Sequence, residues 1–96
     1  MLDRIRAICQ ESSYLLALLI GNDVATELAI NWVIAALDDL EASENPTDEQ
    51  VEEIFVALAN LQQKLMVCLS QIPQRHYPLL ENLTDRIDIF LFHHRL

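Results

Sequence analysis

The sequence predicts an all-α fold, a small antiparallel (up-down) four-helix bundle, and three observations carry that prediction. Apolar residues recur at three- and four-residue spacing nearly from end to end, which is the primary signal for amphipathic helices. The 96-residue chain holds one glycine, which leaves little for the tight turns of a many-stranded sheet. The breaks in the periodicity are short, and short connectors make consecutive helices antiparallel neighbours. The length argues for a single helical domain over residues 1–96. A hydrophobic content of 52% excludes a disordered chain despite the net charge of -9.

The first helix is predicted over residues 2–20, where Leu2, Ile5, Cys9, Ser12, Leu16 and Leu19 keep the 3–4 spacing. Gly21-Asn22-Asp23 ends it, since glycine suits the left-handed position after a helix and Asp23 can cap the next one. The second helix spans 24–42, and its apolar residues, among them Leu28, Trp32, Val33 and Ile34, spread over more than one stripe. Ser43-Glu44-Asn45-Pro46 is a connector. Thr47 and Gln50 form a capping-box pattern that opens the third helix, 48–71. Its stripe is the cleanest in the chain: Val51, Ile54, Leu58, Leu61, Leu65, Cys68 and Ile72, with Phe55, Ala59, Met66 and Leu69 beside it. Pro73 stops it by forcing Ile72 out of the helical region. Pro78 suits the first turn of a fourth helix, 78–94, whose stripe runs through Leu80, Leu83, Ile87 and Phe90 toward His94. Tyr77 is placed to staple the start of that helix.

Charge narrows the function. Fifteen acidic residues against six basic ones disfavour nucleic acid and anionic membrane surfaces, because phosphate binding depends on clustered Lys and Arg. No stretch approaches the roughly 18 uncharged apolar residues of a membrane span. The N-terminus has no apolar core or cleavage site of a secretory signal, so a cytoplasmic location is expected. Cys9 and Cys68 are read as reduced, buried thiols on apolar stripes that raise their pKa. No metal-ligand spacing, phosphate loop or nucleophile elbow is present, so no catalytic residue, metal or cofactor is assigned.

The acidic residues are not spread evenly. Residues 23–63 contain no Lys or Arg, and Asp38, Asp39, Glu41, Glu44, Asp48, Glu49, Glu52 and Glu53 surround the connector between the second and third helices. In a helical hairpin they gather at one tip. Asp48 and Glu49 are favoured there by the start of a helix, whereas Asp38, Asp39 and Glu41 oppose the dipole at the end of one. That placement points to a basic partner surface, with Asp38, Asp39, Glu41, Glu44, Glu49, Glu52, Glu53 and Trp32 as the partner-binding set. The surplus apolar surface expected on the first two helices points further to a homodimer.

The leading expectation is a non-enzymatic interaction or regulatory protein: an inhibitor, an immunity- or antitoxin-like factor, or a small chaperone. Two other readings stand beside it. Arg86 and His93 lie two helical turns apart, a spacing that resembles the Arg–His pair of HEPN-type ribonucleases, in which the pair meets across a dimer interface. The resemblance covers those two residues; Ile87 follows Arg86 where that family usually has a polar residue. It implies a small helical ribonuclease using Arg86 and His93. The third reading is a purely structural oligomerisation module, for which the acidic tip is irrelevant.

Overall fold

In the computed structural model, which describes residues 2–95, four helices follow one another: α1 (Leu2–Leu19), α2 (Val24–Ala42), α3 (Asp48–Cys68) and α4 (Tyr77–Arg95). Each break has a local cause. Gly21 sits at φ +90 and closes α1, its amide reaching back to the Leu16 carbonyl at 2.8 Å. Asp23 caps α2, its carboxylate accepting from the Thr26 amide at 3.2 Å. Thr47 and Gln50 exchange both hydrogen bonds of a capping box at the start of α3.

The third helix ends three residues earlier than its apolar stripe suggests. The α-helical bonds stop at Cys68, and the chain tightens into 3₁₀ turns at Leu69–Gln71 and Gln74–His76 around Pro73. The stripe and the helix part company because Ile72 is extended before proline yet still buries its side chain. Tyr77 opens α4 and packs, half-buried, against the core, as a staple should.

The helices form an antiparallel up-down bundle with α3 at its centre of mass of contact: α2 and α4 pack most extensively on α3, while α1 lies between α2 and α4. One continuous core runs through all four helices. Ile54, Leu58, Leu61, Leu65 and Cys68 of α3 are sealed from solvent, as are Ile5 of α1, Val33 and Leu37 of α2, and Leu80, Leu83 and Ile87 of α4. Val33, expected among the surplus apolar residues of the second helix, is wholly buried, and Ile34 is half-buried. The predicted stripe on α4 is offset by one residue at its end: Leu91 is buried and Phe90 only partly so. The side chain of His94 lies outside the described residues.

The bundle measures 45 × 27 × 18 Å and exposes 6052 Å². A compact chain of this mass exposes roughly 5,600 Å² by the surface-scaling law. The flattened outline accounts for the excess, since helices with two neighbours each keep a broad outer face. Among the described residues, eleven large apolar side chains are exposed, including Tyr14, Leu18, Val24, Leu28, Val56, Val67, Ile89 and Phe92.

Candidate functional surfaces

Seven of the eight acidic residues predicted to form one tip separate into three groups, and Glu52 stands apart from them. Asp38 and Glu41 point toward α1, where the Arg6 guanidinium binds both: Nη2 donates to Asp38 Oδ1 at 2.6 Å and to Glu41 Oε2 at 3.0 Å, and Nε to Glu41 Oε1 at 3.3 Å. The cation missing from residues 23–63 is thus supplied in space by α1. This corrects the reading of Asp38 and Glu41 as uncompensated charges: in an α1–α2 hairpin turning at Gly21–Asp23, position 6 stands level with the last turns of α2. The bidentate fork also neutralises carboxylates that the helix dipole disfavours.

A second group lies along the α2–α3 groove. Asp39 Oδ2 accepts from Gln50 Nε2 at 3.0 Å, and Glu53 Oε1 accepts from the Trp32 indole N–H at 3.4 Å. Trp32 is 38% exposed, so this bond lies at the rim of the α2–α3 groove. The third group, Glu44, Asp48 and Glu49, is exposed and has no ion-pair partner among the described residues. Glu52 is exposed on the outer side of α3.

The α2–α3 register follows from these bonds together with the Thr26 Oγ1–Cys68 Sγ contact at 3.5 Å near the opposite end. It sets Trp32 level with Val56 and Val24 level with Val67. The outer face of this hairpin therefore has an apolar half (Val24, Leu28, Trp32, Val56 and Val67) and an acidic half (Asp39, Glu49, Glu52 and Glu53). Trp32 stands at the boundary. Val56 and Val67 escaped the sequence reading because they lie off the core stripe of α3; their helical spacing from Glu49 and Glu53, all on the side of α3 that faces outward beside α2, is the signal that finds them.

The opposite face, between α1 and α4, has another character. Arg86 of α4 binds Glu11 of α1 through both terminal nitrogens. The Arg86 Nε is buried with no hydrogen-bond partner. Arg86 also holds the Glu11 carboxyl below its ordinary range. The bridge divides the α1–α4 groove. On one side lies a cleft of about 580 Å³ lined by Arg4, Ile8, Arg86, Ile89, Phe90 and His93. On the other lies a smaller one of about 350 Å³ lined by Tyr14, Leu15, Pro78 and Leu79. Arg86 and His93 do share one cleft, together with Arg4, but the Arg86 guanidinium is already committed to a carboxylate.

The two thiols are chemically quiet. Burial pushes Cys9 up to about 11. Cys68 is also raised, first by burial, with the Asp23 carboxylate, which accepts from the thiol at 3.5 Å, adding to the rise. Among the described residues no group of three or more His, Cys, Asp or Glu is placed to hold a metal ion, and no helix is long and apolar enough to cross a membrane. No family model matches the chain, and comparison with curated proteins and with solved structures gives no match.

Proposed function

We propose that this protein is a non-enzymatic interaction module that binds a basic amphipathic segment of another protein on the outer face of the α2–α3 hairpin. The observation that carries the reading is the joining of an exposed apolar strip to an acidic one across Trp32. Helix α2 carries a net charge of -4 (Glu27, Asp38, Asp39 and Glu41) and α3 a net charge of -3 (Asp48, Glu49, Glu52 and Glu53 against Lys64). A second copy of the same face meets it with like charge, whereas a cationic amphipathic helix complements both halves. Trp32 is the anchor, since partly exposed tryptophans dominate binding energy where they become buried. The acidic half steers association. Regulatory roles such as inhibition, neutralisation or shielding of a basic protein share this physics. A homodimer through this face, and a structural oligomerisation role, are competing occupancies of the same surface.

Trp32 is the only tryptophan, so its emission reports docking directly. Titration with a cationic amphipathic peptide, Lys on one helical face and Leu on the other, is expected to shift that emission to the blue saturably. An anionic Glu/Leu peptide of the same pattern leaves it unchanged. Glu49→Lys with Glu53→Lys slows association about tenfold or more at low salt, the scale of electrostatic steering. Both carboxylates lie outside the Arg6 cluster, so the fold is retained. Equal responses to the two peptides refute the reading. A concentration-dependent mass that Trp32→Lys reduces to that of one chain reassigns the face to a second copy.

A further inference from the structure

The groove between α1 and α4 carries a separate inference. Here the chain brings cationic and donor side chains together over an apolar floor: Arg4 from α1 and His93 from α4, with Arg86 beside them, above Ile8, Ile89 and Phe90. A volume of about 580 Å³ lies within the range of small-molecule sites. The Arg86–Glu11 bridge closes one end of the cleft, so a long helix cannot lie along the groove without breaking it. That favours a compact ligand over a protein segment. Glu11 fixes the Arg86 side chain from the α1 side, so Arg86 forms a wall of the cleft and leaves Arg4 and His93 as its exposed donors.

We infer that this cleft binds a small amphiphilic organic anion, with its apolar body against Ile8, Ile89 and Phe90 and its carboxylate or phosphate head held by Arg4 and His93, beside the Arg86–Glu11 bridge. The apolar floor supplies affinity by burial, and the cationic rim sets the polarity of the ligand. The site is independent of the α2–α3 face and stands whether or not that face binds a basic partner.

Octanoate and octyl phosphate are the probes, with octylammonium as the oppositely charged control, each titrated into isotope-labelled full-length protein and followed by amide chemical shifts. Either anion is expected to produce saturable shifts grouped at residues 4–8 and 86–93. The ratio of their affinities tells which head group the rim prefers. Arg4→Gln with His93→Gln, both exposed positions, weakens binding roughly tenfold, the scale of lost charge-assisted hydrogen bonds. The Glu49→Lys, Glu53→Lys protein binds the anions as before. Equal binding of octylammonium, anion affinity unchanged in the Arg4/His93 variant, or the absence of grouped shifts with both anions overturns the assignment.

Discussion

Arg6 shows how one side chain can alter the meaning of a charge pattern. Along the chain, Asp38 and Glu41 lie in a 41-residue stretch without a cation; in space they share one guanidinium. Glu11 is paired in the same way with Arg86, and this pair has a pH signature. Its folded pKa is lowered, first by the Arg86 hydrogen bond, so its contribution to stability is full above the ordinary value of 4.5 and is lost as pH falls through the folded value. Asp23 behaves alike from its ordinary 3.8, chiefly through the Thr26 amide. Glu11→Gln is expected to flatten the part of the acid limb just below pH 4.5 in a chemical-denaturation series, while leaving the Asp23 portion in place. Cys9 gives the other residue-scale prediction. With its thiol pushed up to about 11 and its side chain buried, alkylation by iodoacetamide at neutral pH should proceed at the rate of local or global opening. Full reactivity in the native state would contradict that burial.

At the scale of the element, the helices separate positions that hydropathy alone treats as equal. Leu61 and Leu28 are the same residue on adjacent helices, one sealed in the core and one 62% exposed. Leu61→Ala removes packing on every side and should cost about 2–5 kcal/mol in urea unfolding. Leu28→Ala should stay within about 0.5 kcal/mol. Equal losses would mean that the outer face of α2 is covered in solution. Thr47 gives a test of the caps: Thr47→Ala removes the hydroxyl that accepts from the Gln50 amide, keeps the backbone bond to the Gln50 side chain, and should lower stability by about 1 kcal/mol, with α3 fraying at its acidic first turn. The caps at Asp23 and Thr47, the glycine stop at Gly21 and the proline break at Pro73 were all legible in the sequence. Each is a local rule in which a residue satisfies or removes hydrogen bonds of its own neighbours. The early end of α3 was less legible, because Ile72 continues the apolar rhythm after the helical bonds have stopped.

At the scale of the whole molecule, the bundle is electrically two-sided. Helices α2 and α3 hold most of the negative charge, while Arg4, Arg6 and Arg86 stand on α1 and α4. The outer α2–α3 face is proposed to meet a cationic helix and the α1–α4 cleft a small anion, so the two proposals call for ligands of opposite sign. Salt should weaken both, since each depends on partly exposed charges screened over roughly 8 Å at physiological ionic strength. The sequence by itself determined the four helices, their caps and the α3 core stripe, because periodicity and capping act within a few residues. It also showed that the acidic charge is concentrated. Only the tertiary structure decided which of those acids are neutralised by Arg6, that Val33 is core while Leu28 is surface, and that Arg4, Arg86 and His93 border one cleft. Those facts depend on the register between helices distant in the chain, and register is set by packing across the core rather than by any local rule.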